Sequence, residues 1–187
     1  ELYIVLPEGL LNVQSYLYFR EWLLEECYIV TVISLPEGAF IPFGKSVSKT
    51  TIIGLRKKDK TNPEQNKPNK VFLGNAKEVG YETGKSTYKV KDKNDLNEFL
   101  IKSQSYFEGI YETGTGGECG WIDQEEIISK RIDATYLLNL IDRATLHARF
   151  ENLVPLSKIC RINNRSCTPS NGTKYHYLEI PDISPDT

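Results

Sequence analysis

The first 57 residues combine three apolar runs with one amphipathic stretch, and this order constrains the fold more than any other feature of the sequence. Residues 2–6 are an unbroken apolar run, which is typical of a strand covered on both faces. Residues 16–27 repeat apolar side chains near the helical period and predict an amphipathic helix. The charged residues of that stretch are Arg20, Glu21, Glu25 and Glu26. Residues 28–33 and 50–55 predict two further strands, so the segment predicts the edge of an α/β sheet with a hairpin-like finish.

Composition excludes several kinds of protein. The chain of 187 residues is long enough for one domain, or for one domain and part of another. Its formal net charge of -2 argues against a uniformly basic nucleic-acid coat. The four cysteines form no CxxC pair and have no histidine at ligand spacing, so we expect no metal site. No apolar run approaches the ~20 residues of a membrane span, and no signal leader is present, so we expect a soluble, cytoplasmic protein.

The middle of the chain predicts an α+β connector after a polar linker. Residues 71–76 and 79–84 predict a short strand and a strand edge with a turn. Asn94 is expected to cap a helix, and the apolar residues after position 136 predict another. Between residues 56 and 93 there are eleven Lys or Arg against five Asp or Glu. This excess suits either a path for nucleic-acid phosphates or a solvated loop surface.

Four blocks carry a resemblance to a known family. They are Val-Leu-Pro-Glu-Gly-Leu-Leu at residues 5–11, Arg-Glu-Trp-Leu-Leu at 20–24, Ile-Ser-Leu-Pro-Glu-Gly-Ala-Phe at 33–40 and Lys-Thr-Thr-Ile-Ile at 49–53. In this order they resemble the closing part of the catalytic domain of adenine-N6 DNA methyltransferases, most closely the modification subunit of type I restriction-modification systems. The resemblance implies the C-terminal edge of a Rossmann-like methyltransferase sheet, built from a strand, a helix and two further strands.

The resemblance also implies the chemistry of the parent protein. Such an enzyme transfers a methyl group from S-adenosylmethionine to N6 of an adenine that has swung out of the DNA duplex. In the family, a glycine-rich turn holds the cofactor, and an Asn/Asp-Pro-Pro-aromatic motif holds the amino group. Neither motif is in this sequence, and the chain begins inside an apolar run and contains no methionine. We therefore expect a piece of a larger protein that has no catalytic residue, binds no cofactor and methylates nothing by itself.

One loop is expected to keep a contact of the active site. Phe40 matches the aromatic that packs on the face of the extruded adenine in the family. An aromatic side chain that only fills the core at the base of the loop fits the sequence equally. Lys45 and Lys49 lie on the same loop and are candidates for contacts with DNA phosphates. His147 and His176 are isolated, so neither is expected to act as a base.

Two segments, Leu-Val-Pro-Leu-Ser-Lys-Ile-Cys-Arg-Ile-Asn at residues 153–163 and Tyr-His-Tyr-Leu-Glu-Ile-Pro-Asp-Ile at residues 175–183, resemble the opening of a type I target-recognition domain. Between His147 and His176 there are five Lys or Arg and one Glu. Tyr175 lies within this stretch, and Tyr177 follows it directly. A nucleic-acid surface has this composition, although coincidental surface charge gives it as well. The candidate DNA-binding residues of this segment are Arg161, Arg165, Lys174 and Tyr175.

The sequence as a whole predicts three parts. Residues 1–57 would be the C-terminal part of a methyltransferase catalytic domain, residues 58–145 a linker and helical connector, and residues 146–187 the start of a DNA target-recognition domain. The expected partners are double-stranded DNA and the specificity and restriction subunits of the same system. Two alternatives stay open: a non-catalytic DNA-binding or subunit-docking module, and the scaffold of a methyltransferase acting on RNA or protein.

Overall fold

The computed structural model describes residues 1–44, 48–107, 118–150, 153–154 and 156–159. The chain divides into two units, Glu1–Glu151 and Asn152–Thr187. Lys45 and the four candidate DNA-binding residues Arg161, Arg165, Lys174 and Tyr175 lie outside the described residues. The fold is therefore that of the first unit, together with one short helix of the second.

The described strands form a mixed sheet and a separate small hairpin. The strands are β1 (Leu2–Pro7), β2 (Cys27–Ser34), β3 (Thr50–Lys57), β4 (Lys70–Asn75), β5 (Val79–Tyr81), β6 (Val90–Asn94) and β7 (Cys119–Asp123). The main sheet has the order β1-β3-β2-β4-β7, and β5 pairs with β6 alone. The described helices of the first unit are α1 (Gly9–Asn12), α2 (Leu17–Glu26), α3 (Ile41–Gly44), α4 (Asp95–Phe107) and α5 (Ala134–Arg149), and α6 (Leu156–Ile159) lies in the second unit.

Strand direction decides which loops meet at one end of the sheet. β3 lies between β1 and β2 and is antiparallel to both, so β1 and β2 run in the same direction. β2 and β4 are parallel, and β7 closes the other side antiparallel to β4. The predicted pairing of the three N-terminal strands in one sheet, with a hairpin-like finish, is confirmed. Because β1 and β2 are parallel, their carboxyl ends lie at the same end of the sheet as the start of β3.

One face of the sheet is covered by helices. Strand alternation directs Val32, Ile53 and Leu73 to this face, and none of their surface is exposed. α2 contributes Leu23, and α5 contributes Leu137, which is also fully buried. The remaining buried members of this cluster are Leu11, Ile29, Leu55, Val71, Ile122, Ile127, Ile132, Ala134, Leu138 and Ile141. This face therefore holds the main core.

The opposite face is only partly covered, by α4. The ring of Phe99 packs at 6.1 Å from that of Phe72, and a Cβ on Gly74 would approach the Phe99 ring to 2.8 Å. Glycine at position 74 is therefore what lets α4 lie close to the sheet. Beside α4 an apolar cavity of about 550 Å³ stays accessible, and its lining includes Tyr3, Ile33, Ile52, Leu96, Leu100 and Trp121.

The prediction that the first strand is covered on both faces is wrong. β1 is an edge strand, and Leu2, Tyr3 and Val5 are 54%, 57% and 44% exposed. An apolar run identifies a strand that can be buried. Whether it is buried depends on the order of strands in the sheet, which the run does not reveal. Here β3 is the strand that pairs with β1 among the described residues.

The predicted helix is confirmed, but its faces differ from the expected ones, since Trp22, one of its apolar residues, is 56% exposed and Arg20 does not lie on the solvent side. Arg20 is fully buried, and its guanidinium group donates hydrogen bonds to main-chain carbonyl oxygens of two segments that are far apart in the sequence. The acceptors are Leu10 (3.0 Å), Val13 (2.9 Å), Ser129 (2.6 Å) and Lys130 (3.1 Å). The planar fork of donors explains the burial, because guanidinium can satisfy several acceptors in one plane. Arg20 thereby ties α2 to the segment that precedes α5.

The start of α5 is fixed by a second buried charge. The side chain of Asp133 accepts a hydrogen bond from the Tyr136 amide at 3.1 Å and caps the helix. Arg131 donates to both carboxylate oxygens of Asp133, at 2.8 and 3.0 Å, and its guanidinium lies over the Tyr136 ring. The Asp133 side chain is fully buried, so this bidentate pair supplies the compensation that a buried charge requires.

Replacing Arg20 by methionine is expected to lower the free energy of unfolding by about 3 kcal/mol or more. Methionine keeps an apolar stem of similar length but leaves four partly buried main-chain carbonyl groups without the guanidinium donor. Urea unfolding followed by circular dichroism measures the change. Arg143→Met is the matched control, because Arg143 is an exposed arginine in a helix, and we expect a change below about 0.5 kcal/mol there. Equal effects of the two substitutions would contradict the role given to Arg20.

Candidate functional site

The loop between β2 and β3 lies at the end of the sheet where β1 and β2 finish. Its first part is a tight turn followed by α3, and we call residues 36–44 the Phe40 turn. The amide of Ala39 donates to the carbonyl oxygen of Pro36 at 3.2 Å, and that of Ile41 donates to Gly38 at 3.1 Å. Gly38 has a φ of 70°, a conformation that favours glycine. The turn therefore has a defined backbone shape.

A buried carboxylate joins the strands from which this loop leaves and to which it returns. Oε2 of Glu8 accepts hydrogen bonds from Ser34 Oγ at 2.6 Å and Thr51 Oγ1 at 3.2 Å. Oε1 lies 3.1 Å from Nζ of Lys49. Glu8 is only 7% exposed. We call Glu8, Ser34, Lys49 and Thr51 the sheet-end cluster.

Main-chain hydrogen bonds hold the same junction. The amide of Glu8 donates to the carbonyl oxygen of Lys49, and the amide of Leu35 donates to that of Thr50, each at 2.9 Å. The base of the loop is therefore closed by backbone and side-chain bonds together. Beside Glu8 is a cavity of about 440 Å³, lined on its other sides by residues 7, 9, 10, 12, 16, 48 and 49.

The predicted site residues that the structure describes are Phe40 and Lys49. Phe40 is half-buried and packs against the apolar cluster of the second sheet face, which contains Leu35, Ala39 and Phe72. Lys49 has a partly exposed side chain and forms the ion pair with Glu8. Both lie on one loop, as expected, at opposite ends of it. Their roles toward a base or a phosphate stay predictions.

Sequence reasoning missed the acidic partner of this site. Glu8 stands in Pro7-Glu8-Gly9, which the sequence identifies only as the stop after the first strand. Its partners Ser34 and Thr51 are ordinary strand-end residues in the sequence. Glu8 and Thr51 are 43 positions apart, and the signal that joins them is the antiparallel register of β1 and β3, in which Leu6 pairs with Thr51.

The small β5–β6 hairpin contacts the Phe40 turn from the other side. The hydroxyl of Tyr81 donates to the carbonyl oxygen of Ala39 at 2.9 Å, and the amide of Gly84 donates to that of Gly38 at 3.2 Å. Both acceptors immediately precede Phe40. The turn is therefore bonded to the hairpin as well as to the sheet.

The hairpin is itself anchored by Asp95 at the start of α4. The carboxylate of Asp95 accepts hydrogen bonds from the amides of Lys77 and Glu78, each at 2.9 Å, and its own amide donates to the carbonyl oxygen of Glu78. Burial by itself raises the pKa of Asp95, but the two amide donors and the nearby Lys93 lower it overall. The predicted cap of this helix is confirmed, since the Asn94 side chain accepts from the amide of Leu96.

Two further features concern the residues that the structure describes, 1–44, 48–107, 118–150, 153–154 and 156–159. Within those ranges, no group of three or more His, Cys, Asp or Glu side chains is placed to hold a metal ion. No helix in the part of the chain that the structure describes is long and apolar enough to cross a membrane.

Comparison with known proteins identifies one family. The model of the N-6 DNA methylase family matches residues 2–135. Among solved structures, the methyltransferase subunit of a type I restriction-modification system from Streptococcus thermophilus is 25% identical, with a TM-score of 0.46, over 71% of this chain and 25% of that one. A structure of the type I restriction-modification system, solved to explain its assembly and conformational transition, is 18% identical with a TM-score of 0.50 over 84% of this chain and 35% of that one.

The second structure shares the mixed α/β fold of this chain. The chain spans between 25% and 35% of the length of these two solved proteins. No curated protein matches the chain.

Replacing Glu8 by glutamine is expected to lower the free energy of unfolding by about 1–2 kcal/mol. Glutamine keeps the shape of the side chain and one carbonyl acceptor. Its amide has no negative charge to pair with Lys49, and its neutral oxygen accepts weaker hydrogen bonds from the Ser34 and Thr51 hydroxyls. Glu37→Gln is the matched control, because Glu37 is an exposed glutamate on the same loop. Chemical unfolding of both variants measures the difference, and equal stability would show that the sheet-end cluster contributes nothing.

Replacing Asp95 by asparagine is expected to destabilise the chain by about 1–2 kcal/mol at pH 7 and by progressively less below about pH 4. The pKa of Asp95 is lowered in the folded state, so its stabilisation is complete above the unfolded pKa and is lost as pH falls through the folded pKa. Urea unfolding at several pH values measures this trend. Asp92→Asn, an exposed site on β6, is the control, and a pH-independent difference for Asp95→Asn would contradict the assignment.

Proposed function

Since the chain belongs to the N-6 DNA methylase family, we propose that it is the C-terminal part of the catalytic region of an adenine-N6 DNA methyltransferase. The whole protein would transfer a methyl group from S-adenosylmethionine to adenine within a type I restriction-modification system. Its partners would be double-stranded DNA and the specificity and restriction subunits. In this proposal the chain supplies the edge of the Rossmann-like sheet and the loop that carries Phe40.

The observation that carries this proposal is the place of the Phe40 turn in the sheet. It leaves the carboxyl end of β2, at the same end of the sheet as the carboxyl end of β1, which runs in the same direction on the other side of β3. In open α/β sheets, ligands bind outside the carboxyl ends of parallel strands. An aromatic side chain held at that end is suitably placed to stack on a base that enters from solvent.

The exposed side of β1 supports a larger sheet in the whole protein. Leu2, Tyr3 and Val5 are each more than 40% exposed on a strand whose outer edge is open among the described residues. An open, apolar strand edge favours pairing with another strand. The apolar cavity beside α4 extends this uncovered surface over the second sheet face. We propose that other strands and helices of the complete methyltransferase cover the open edge of β1 and the cavity beside α4.

We propose that S-adenosylmethionine is bound by another part of the methyltransferase. A nucleoside is commonly held by a carboxylate that accepts hydrogen bonds from the ribose hydroxyls. Glu8 is the acidic residue that lines the sheet-end cavity, and its carboxylate is already bound by Ser34, Thr51 and Lys49. We therefore propose that the cofactor site and the amino-group site belong to the rest of the methyltransferase.

The remaining parts of the chain have proposed roles that follow from the resemblance. Residues 58–145 would be the linker and helical connector, which adds β4 and β7 to the main sheet. Residues 146–187 would begin the target-recognition domain. The proposed DNA contacts are Lys45, Lys49, Arg161, Arg165, Lys174 and Tyr175.

Replacing Phe40 by leucine in the complete methyltransferase is expected to lower kcat/KM for DNA by roughly 5- to 100-fold. Stacking of a base on an aromatic ring contributes about 1–3 kcal/mol, and leucine keeps the apolar packing while losing the ring. Transfer of labelled methyl groups from S-adenosylmethionine to DNA measures the rate.

Phe40→Tyr is the matched control, because it keeps the ring and should stay within about threefold of wild type. Thermal unfolding of both variants checks that the fold is intact. Equal activity of the leucine and tyrosine variants would show that the ring does not stack on the target base. Absence of methyl transfer by the wild-type complete protein would overturn the enzyme proposal and favour a DNA-binding or docking module.

A further inference from the structure

The β5–β6 hairpin approaches the Phe40 turn more closely than side-chain packing alone allows. A Cβ on Gly38 would lie 2.9 Å from the Cα atom of Gly84, so the two backbones are in direct contact. Both glycines have positive φ, 70° and 77°. Because no other residue adopts this conformation as readily, and because a side chain on Gly38 has no space, the sequence is adapted to this contact.

Aromatic packing extends the contact into α3. The rings of Phe43, Tyr81 and Tyr88 lie with centroids 5.2 to 5.5 Å apart, and the Phe43–Tyr81 pair has an edge-to-face geometry. Phe43 is 61% exposed and Tyr88 is 52% exposed, so this aromatic cluster lies at the surface. The hairpin thus contacts the turn both before and after Phe40.

The hydroxyl of Tyr81 is the specific link to the turn. It donates to the carbonyl oxygen of Ala39, the residue before Phe40, at 2.9 Å. Burial raises the pKa of this hydroxyl, so it stays protonated and able to donate at neutral pH. Since Asp95 fixes the start of the hairpin region through two amides, the hydroxyl projects from an anchored element.

We infer that the β5–β6 hairpin holds the Phe40 turn in its working position, and that Tyr81 is a positioning residue for the stacking of Phe40 on adenine. This inference rests on the proposed function. A stacking ring must be held within a fraction of an ångström to select the productive geometry, and residues that lock its backbone supply that precision. Tyr81 acts through Phe40 and does not itself touch the base.

Tyr81→Phe tests the inference because it removes one hydroxyl and keeps the ring in the aromatic cluster. Tyr88→Phe is the matched control, since it removes a hydroxyl from a ring of the same cluster on the same hairpin. Hydrogen exchange of the amides of Ile41 and Phe43 in this chain reports the order of the turn. We expect about fivefold faster exchange in Tyr81→Phe and no change in Tyr88→Phe.

The same two variants of the complete methyltransferase report the consequence for catalysis. We expect Tyr81→Phe to lower kcat by about three- to tenfold with the KM for S-adenosylmethionine unchanged, because a misplaced ring affects the flipped base and not the cofactor. DNA with 2-aminopurine at the target position gives a second readout, because its fluorescence depends on flipping and on stacking against an aromatic ring, and this fluorescence should change in Tyr81→Phe alone.

The outcomes separate the inference from the proposed function. Unchanged exchange in Tyr81→Phe, or equal changes in both variants, overturns the bracing role of the hairpin. Faster exchange with an unchanged kcat, while Phe40→Leu lowers kcat, overturns the positioning role but leaves the proposed function intact. If Phe40→Leu has no effect in the active enzyme, the stacking role fails, and the positioning role of Tyr81 is overturned with it.

Discussion

The buried carboxylate of Glu8 is the interaction on which the end of the sheet depends. A charge removed from water destabilises a fold unless donors surround it. Here the donors come from Ser34 at the end of β2, and from Lys49 and Thr51 at the start of β3. The ends of β1 and β2 and the start of β3 must therefore lie side by side, and the loop from residue 35 to residue 49 must leave and return at the same end of the sheet. The place of Phe40 follows from this constraint.

The layer of helices on one face of the sheet depends on a second buried charge, that of Arg20. Arg20 donates hydrogen bonds to the main-chain carbonyl groups of residues 10, 13, 129 and 130. It therefore joins the N-terminal helices to the segment before α5. Asp133 then fixes where α5 begins. With α2 and α5 held in place, their apolar residues cover one face of the sheet, and the second face and the edge of β1 are left for other contacts.

These constraints give the proposed function a physical basis. The Phe40 turn is held at its base by the sheet-end cluster and at its tip by Tyr81 and Gly84. A ring held from two sides needs little reorganisation to receive a base, and such preorganisation is what positions a substrate for reaction. The exposed apolar strand β1 and the cavity beside α4 are the surfaces on which a larger methyltransferase domain would continue.

The sequence by itself determined the local elements and the family. The amphipathic stretch of residues 16–27 corresponds to α2, and the apolar runs of residues 28–33 and 50–55 correspond to β2 and β3. These patterns are visible in the sequence because the side chains that a helix or a strand buries recur at a fixed spacing. Only the tertiary structure decided that β1 is exposed, that Arg20 is buried, and that Glu8 and Tyr81 hold the Phe40 turn. Arg20 and Ser129 are 109 positions apart, and Tyr81 and Ala39 are 42 apart. Such contacts leave no local pattern, because they depend on strand order and register, which bring distant polar groups within hydrogen-bonding distance.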